Sequence, residues 1–322
     1  MASVLVITNT FFPLLLIFLS LICFGRSGVK EQVEAAGVEV QAGRLPHDEG
    51  LVTTSIMCGP NMSLSEFDCC DVVVALHQIA KRLGKSDWNF SENPCDGDPS
   101  WATAKDKARP LFNNTLTCNC SFPNGVCHVD AIDLSRNYLS GTIPSKWAST
   151  QLEYLSVIVN RLSGPIPKEL GNFTTLKYLS LEANQFFGAL PSELGDLINI
   201  QSITLNSNNF TGELPMSLAN LTKLTELISS NSFTGKIPDF IKNWRQLDKL
   251  EIQASGLEGP IPASISSLDK LSELRISDLN GEGSVFPPLR NMTVLTKLML
   301  RNCNISGQIP QDIAVLAKLK TL

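Results

Sequence analysis

The stretch Asn137-Tyr138-Leu139-Ser140-Gly141-Thr142-Ile143-Pro144 decides the fold, because its pattern returns along the rest of the chain. Its glycine comes back after every 23 or 24 residues, at Gly164, Gly188, Gly212, Gly235, Gly259, Gly283 and Gly307. An apolar ladder of the form Leu-x-x-Leu-x-Leu precedes the phrase, as in Leu176, Leu179 and Leu181. A fixed period of this length predicts a stack of similar repeats, that is, a solenoid.

Each part of the repeat has a structural role. The alternation in Leu-x-Leu is that of a short strand, and stacked strands form one parallel sheet on the concave face. The asparagine can satisfy backbone groups at the strand end, glycine permits the turn, and proline closes the segment. A second apolar column fills the convex side: Phe173, Leu197, Leu221, Trp244, Leu268, Met292 and Leu316. The pattern predicts an α/β solenoid of leucine-rich repeats.

Eight complete repeats occupy residues 129–318, and a ninth opens at residues 319–322. The absence of a polar terminal cap after them favours a truncated chain, because an uncapped last repeat exposes its core edge. Two repeats are irregular. The fifth is one residue short between its ladder and Asn231, which predicts a local distortion of the strand. The seventh has Leu279 at the asparagine position and Ser284-Val285-Phe286-Pro287-Pro288 in place of Ile-Pro.

The N-terminal residues 1–28 resemble a secretory signal peptide, with an apolar run over residues 11–24 followed by small and polar residues. The alternative is a membrane anchor, for which the run is short. Nine Asn-x-Ser/Thr sequons agree with secretion, at Asn61, Asn89, Asn113, Asn119, Asn172, Asn209, Asn220, Asn291 and Asn304. Asn119 lies between two cysteines, so we expect glycans at Asn89, Asn113, Asn172, Asn209, Asn220, Asn291 and Asn304 instead.

A cap over residues 71–128 precedes the repeats. Its four cysteines, Cys95, Cys118, Cys120 and Cys127, indicate two disulfides in an oxidising compartment, with three pairings open. Residues 71–84 predict a helix with Val72, Leu76, Ile79 and Leu83 on one face, covering the open core of the first repeat. Cys303 stands at the asparagine position of the eighth repeat and is interpreted as a small buried residue.

Four segments carry a resemblance to a known family: Asn93-Pro94-Cys95, Thr117-Cys118-Asn119-Cys120-Ser121, Val126-Cys127-His128-Val129 and Trp147-Ala148-Ser149. With the later repeat phrases they resemble the ectodomain of plant leucine-rich-repeat receptor-like serine/threonine kinases, in the branch with a malectin-like domain. The resemblance implies that a malectin-like domain, a membrane helix and a cytoplasmic kinase follow the repeats in the whole protein. It places the repeats outside the plasma membrane; if the chain is complete, it is secreted.

Two departures from that family concern the cap. Residues 50–72 intervene between an acidic segment and the helix, which suggests that the linker 29–70 contains a mis-spliced insertion. The resemblance also implies that one repeat of the family pattern is skipped after Cys127 and His128.

Catalytic, metal and nucleic-acid functions have little support. The three histidines, His47, His77 and His128, all precede the repeats, which leaves no triad or metal site there. The chain has none of the Gly-rich loop, His-Arg-Asp and Asp-Phe-Gly motifs of a protein kinase. The formal net charge is −5, whereas nucleic-acid binding normally needs a basic face. We therefore expect neither enzyme activity nor a cofactor in this chain.

The outward strand positions predict the binding surface. Its candidate residues are Tyr154, Tyr178, Glu182, Lys249, Glu251, Arg275 and Arg301. Tyr154 and Tyr178 occupy equivalent positions in adjacent repeats, so their rings should lie side by side. They could stack on a sugar or an apolar peptide side chain, or form a cross-strand aromatic contact alone.

Two functions remain open. The first is a receptor region that recognises an extracellular peptide, a cell-wall glycan or a co-receptor ectodomain. The second is a secreted leucine-rich-repeat inhibitor of cell-wall-degrading enzymes. The unfinished ninth repeat favours the receptor, and a non-functional gene fragment is a third interpretation.

Overall fold

The computed structural model describes residue 73 and residues 76–102, 114–122 and 127–322, which belong to one unit, Asp68–Leu322. The predicted signal peptide, the segment 29–70 and the sequons at Asn61 and Asn113 lie outside the described residues, as does Val72.

A nine-stranded sheet lines the concave face of the array. Its strands are β1 (Thr115–Asn119), β2 (His128–Asp133), β3 (Tyr154–Ser156), β4 (Tyr178–Ser180), β5 (Ser202–Thr204), β6 (Glu226–Ser229), β7 (Lys249–Gln253), β8 (Glu273–Ser277) and β9 (Lys297–Arg301). Strand β1 pairs antiparallel with β2, and each later strand pairs parallel with the one before it. The predicted parallel concave sheet is therefore confirmed.

The core lies between this sheet and the convex side. The ladder residues from Leu152 to Leu298 are buried wherever they are apolar, Leu300 is half-buried, and the entire convex column from Phe173 to Leu316 is buried. The convex elements are 3-10 helices, at Ser145–Ser149, Lys168–Asn172, Ser192–Asp196, Met216–Asn220, Asp239–Asn243, Ala263–Ser267 and Gln311–Val315. The proline of the repeat phrase comes directly before each of them, because its fixed φ suits the start of a helix and no N–H is needed there.

The strand-end asparagine ties neighbouring repeats together. The Asn184 amide nitrogen donates to the carbonyls of Leu181, Glu182 and Val157, at 2.9–3.1 Å. Its oxygen accepts the N–H of Leu162 at 3.1 Å. The residue just before the asparagine is left-handed, as at Val159 (φ 55°) and Ala183 (φ 54°). This residue turns the chain out of the strand, and the asparagine satisfies the carbonyls that the turn would leave unpaired.

A second set of short strands lies on the flank where the repeat phrase leaves the concave sheet. Ser140–Gly141, Arg161–Gly164, Gln185–Gly188 and Asn209–Phe210 pair in parallel. Beneath them the rings of Phe186, Phe210 and Phe233 form a buried stack, with centroids 6.2 and 6.4 Å apart. Phe186, Phe210 and Phe233 are thus core residues.

The cap closes the first repeat as predicted. A helix over residues 76–83 buries Leu76, Ile79 and Leu83, and it ends at the left-handed Gly84, where the Lys85 N–H returns to the Ala80 carbonyl at 2.8 Å. A Cβ on Gly141 would lie 2.3 Å from the Arg82 carbonyl oxygen, so the helix end packs directly on the repeat. The four candidate cysteines form two disulfides, Cys95–Cys118 and Cys120–Cys127.

The fifth repeat keeps its strand register, contrary to the predicted distortion, because β6 pairs residue by residue with β5 and β7. The missing residue is absorbed after the strand, where Ser230 is not left-handed, unlike its counterparts in the repeats on either side, Ser207 and Ala254. Position 229 is serine where other ladders have an apolar residue. An apolar cavity of about 20 Å³ lies here, lined among others by Leu205, Leu227, Phe233, Ile252 and Trp244.

The role predicted for glycine needs one correction. Gly259 and Gly283 are not left-handed, and Gly256 and Gly281 take that conformation in the same repeats. A Cβ on Gly259 would meet the Glu282 carbonyl oxygen at 2.5 Å, so this glycine is required by close backbone approach.

Candidate ligand-binding face

The sheet register arranges the outward residues of the concave face in continuous rows. One row runs Tyr154, Tyr178, Ser202, Glu226, Lys249, Glu273 and Lys297, one residue per strand. Strands within a sheet are about 4.8 Å apart, so Tyr178 and Lys249 are roughly 14 Å apart along this row. The predicted residues therefore form two groups on one face, separated by β5 and β6.

The first group is the tyrosine segment, which we define as Tyr154, Tyr178 and the neighbouring Gln201. The predicted ring contact is present, with centroids 6.1 Å apart and planes tilted by 46°. The Tyr178 hydroxyl donates to the Gln201 side-chain oxygen at 3.0 Å, and the Tyr178 residue remains 41% exposed. Burial raises the pKa of the Tyr154 phenol, and the nearby Asp133 carboxylate adds to the rise. This segment offers aromatic rings and neutral hydrogen-bonding groups.

The second group consists of Lys249, Glu251 and Arg275 on β7 and β8. These residues belong to an ion-pair network that extends from β6 to β9. Lys249 pairs with Glu226 at 2.7 Å, and Lys297 pairs with Glu273 at 3.2 Å. Arg275 contacts both Glu273 and, at 3.8 Å, Glu251. The Lys249 ammonium donates a hydrogen bond to the Glu226 carboxylate, and this bond raises the pKa of Lys249 because it stabilises the charged form. The charges of this group are therefore satisfied within the protein.

Two predicted residues lie outside both groups. Glu182 follows β4 at the outer edge of the face and is half-buried. Arg301 ends β9 in register with Ser277 and is exposed. Among the described residues, neither side chain forms an ion pair within 4.0 Å, so these two charges are available to a partner.

Sequence reasoning did not select three residues of this face as binding candidates. Gln201 anchors the Tyr178 hydroxyl from a position just before β5, outside the predicted columns. The Thr204 hydroxyl and the Asn206 side-chain oxygen are buried and have no hydrogen-bond partner among the described residues. Such orphaned polar atoms are costly, and only the three-dimensional packing reveals them.

Six of the seven described sequons lie outside the strands of this face, and the seventh, Asn119, ends β1. Asn172 and Asn220 each end a convex 3-10 helix, and both are exposed, as is Asn291 at the same position in its repeat. Asn209 and Asn304 are exposed on the flank with the short strands, and Asn89 is exposed in the cap.

Other predicted sites have the following environments. Cys303 is buried, its thiol contacts the Ile276 carbonyl oxygen at 3.3 Å, and burial raises its pKa, in agreement with a packing role. His77 packs on Phe90 and His128 on Phe122. Within the described ranges, no three potential metal ligands come together and no helix has the length and apolarity needed to span a membrane.

The sequence comparisons identify the repeats. The family model "Leucine-rich repeat region" matches residues 151–284, and "Leucine Rich Repeat" matches residues 294–316. A probable LRR receptor-like serine/threonine-protein kinase of Arabidopsis thaliana is 47% identical over 128 residues, which is 32% of this chain and 12% of the relative. A second kinase of this kind from the same plant is 48% identical over 130 residues, with the same coverage. The matched part spans about an eighth of these relatives' length.

Solved structures agree with the sequence relatives. The LRR ectodomain of the Arabidopsis membrane receptor kinase GASSHO1/SCHENGEN3, in complex with CASPARIAN STRIP INTEGRITY FACTOR 2, is 32% identical with a TM-score of 0.60. This similarity covers 64% of this chain and 25% of that one. The Arabidopsis receptor kinase HAESA, in complex with the peptide hormone IDA and the co-receptor SERK1, is 25% identical with a TM-score of 0.63 over 78% of this chain and 41% of that one. Residues 151–284 and 294–316 are thus leucine-rich repeats, and the chain is similar to the ectodomains of plant receptor-like serine/threonine kinases.

Proposed function

We propose that this chain is the extracellular recognition region of a plant receptor-like serine/threonine kinase, and that an extended peptide docks on its concave face. The malectin-like branch and the boundaries predicted for the cap, 71–128, and the repeats, 129–318, are part of this proposal. A co-receptor ectodomain would be the second partner, since the similar HAESA structure contains a peptide hormone and a co-receptor.

The tyrosine segment is the observation that carries the proposal. A rigid sheet holds its side chains in place, so little conformational entropy is lost when a ligand binds them. The exposed Tyr178 ring can cover an apolar peptide side chain. Gln201 and the orphaned groups of Thr204 and Asn206 can bond to peptide backbone after a small shift. A cell-wall glycan is the other ligand class that such a surface fits.

The charged half of the face would contribute less than its composition suggests. A ligand carboxylate that binds Lys249 or Arg275 must first displace Glu226, Glu251 or Glu273. In the described part of the chain, Arg301 and Glu182 form no such ion pair within 4.0 Å. We therefore place the ligand's charged contacts at these two residues and its apolar contacts at the tyrosines.

The test is panning of a displayed library of random peptides against the glycosylated chain. Recovered peptides are then titrated against the variants Tyr178→Ala and Arg301→Glu, with the exposed convex residue Lys168→Glu as the control. Circular dichroism and thermal unfolding confirm that all three variants fold. We expect at least a tenfold loss of affinity for Tyr178→Ala and none for the control.

Three outcomes would contradict the proposal. The first is that no peptide is enriched over a surface without protein. The second is that neutral oligosaccharides bind and peptides do not, which would assign the face to a glycan. The third is that Tyr178→Ala and Arg301→Glu keep wild-type affinity while Lys168→Glu loses it, which would move the binding surface to the convex side.

A further inference from the structure

Phe187 is an exposed aromatic residue at a repeat position that carries serine or threonine in five other repeats and glutamate in two. The corresponding residues in neighbouring repeats are Ser140, Ser163 and Thr211. The Phe187 residue is 49% exposed on the short-strand flank, whereas its neighbour Phe186 is fully buried in the ring stack. Nothing in the packing of the core requires a phenyl ring at this position.

A sequon lies directly beside this ring. The register of the short strands pairs Phe187 with Asn209, the first residue of Asn209-Phe210-Thr211. Phe186 and Phe210 point into the core, and successive side chains of a strand point to opposite faces. Phe187 and Asn209 therefore project together to the outside. The strand is held further by the Thr211 N–H, which donates to the Gly188 carbonyl at 2.9 Å.

We propose that Asn209 carries an N-linked glycan whose first N-acetylglucosamine lies over the Phe187 ring. A lipid-pyrophosphate oligosaccharide would be the donor. The Asn209 amide nitrogen loses a proton and forms a bond to the sugar's anomeric carbon, while the sugar–phosphate bond breaks and the lipid pyrophosphate leaves. The C–H face of the attached sugar then covers the exposed ring, removing apolar surface from water.

The other exposed sequon of this flank provides a contrast. Asn304 is the first residue of the sequon Asn304-Ile305-Ser306 in the eighth repeat. Its side-chain nitrogen lies 3.1 Å from the position that a Cβ on Gly283 would occupy. A sugar on Asn304 would meet a glycine instead of a ring. Only a sugar on Asn209 would thus have an aromatic ring to pack on, although Asn209 and Asn304 are both exposed. The proposal rests on passage through the secretory pathway and is independent of what the concave face binds.

The experiment uses the chain secreted from plant cells that make high-mannose glycans. Site-resolved mass spectrometry measures occupancy at Asn209. Thermal unfolding is then compared for wild type, Asn209→Gln and Asn304→Gln, each in the native and the Phe187→Ser background. Thr211→Ser keeps the sequon and tests the loss of the threonine methyl group alone. Endoglycosidase trimming leaves one N-acetylglucosamine on each site and tests whether that sugar suffices.

We expect Asn209 to be occupied, and Asn209→Gln to lower the melting temperature by about 2–4 °C, as a contact worth about 1 kcal/mol would do in a chain of this size. The drop should shrink to under about 1 °C in the Phe187→Ser background. Trimmed wild type, Thr211→Ser and Asn304→Gln should melt like wild type. An unoccupied Asn209, an equal drop in both backgrounds, or an equal drop for Asn304→Gln would overturn the proposal.

Discussion

The strand-end asparagine joins three stretches of backbone through one side chain. Asn184 satisfies two carbonyls of its own turn, one carbonyl of the preceding repeat and one N–H of that repeat's phrase. Asn160 and Asn208 make the corresponding bonds. An amide is suited to this role because it can donate twice and accept at the same time.

Replacing this residue should be costly. We expect Asn184→Leu to lower the free energy of unfolding by about 2–4 kcal/mol, since buried backbone groups would lose their partners. The matched control is Asn206→Leu, whose side-chain oxygen already lacks a partner and which should cost less than about 1 kcal/mol. Denaturant unfolding of both variants measures the difference. Equal losses would show that the turn does not depend on the asparagine.

Val159 is an opportunity to stabilise the protein. It holds a left-handed conformation (φ 55°) that is unfavourable for a β-branched residue, and it is 39% exposed. We expect Val159→Asn to raise the free energy of unfolding by about 0.5–1 kcal/mol, because asparagine tolerates this conformation and little apolar area is lost. Val285→Asn, at an exposed valine without positive φ, should give no gain. A loss of stability for Val159→Asn would contradict the expectation.

At the level of elements, the cap contains two disulfides that close loops of different length. Cys95–Cys118 spans 23 residues and ties the segment around Trp101 to β1, while Cys120–Cys127 spans 7 and closes the hairpin between β1 and β2. Loop-closure entropy predicts a cost of about 3 kcal/mol for removing the first and roughly 1 kcal/mol less for the second. Thermal unfolding of the two double cysteine-to-alanine variants tests this order. A larger loss for the short loop would refute the entropic explanation.

Elements were predictable from the sequence wherever local pattern determines them. The ladder and the convex column follow from the spacing of apolar residues within one repeat. The capping helix follows from the spacing of apolar residues along its own turns. The disulfide pairing did not follow, because it depends on how β1 folds back on β2. The sequence also did not predict which glycine is left-handed in the sixth and seventh repeats, because Gly256 and Gly281 precede the phrase glycine by only three and two residues.

At the scale of the whole molecule, we expect that this chain does not transfer phosphate. Its matched segments, residues 151–284 and 294–316, are leucine-rich repeats. We expect rigorously purified chain to show no phosphate transfer from radiolabelled ATP to itself or to a generic protein substrate, because phosphoryl transfer needs bound nucleotide and metal. The relevant control is a receptor kinase domain prepared in the same way. Transfer above the level of a mock purification would refute this.

The sequence predicted which residues lie on the candidate binding face, but it did not predict which of their charged groups are paired. Strand alternation alone placed Tyr154, Tyr178, Lys249, Glu251 and Arg275 on one side of the sheet. Which charges are free could not be read from the sequence, because pairing between Lys249 and Glu226 depends on the register between strands. The role of Gln201 depends on the reach of the Tyr178 side chain across one strand.

The cavity of the fifth repeat has a mechanical consequence. In a one-dimensional stack each repeat is held only by its two neighbours, so a loosely filled repeat couples the two sides weakly. The array would then respond to load or heat as two cooperative blocks, one carrying the tyrosine segment and the other most of the ion-pair network. A ligand that touches both blocks would fix the angle between them.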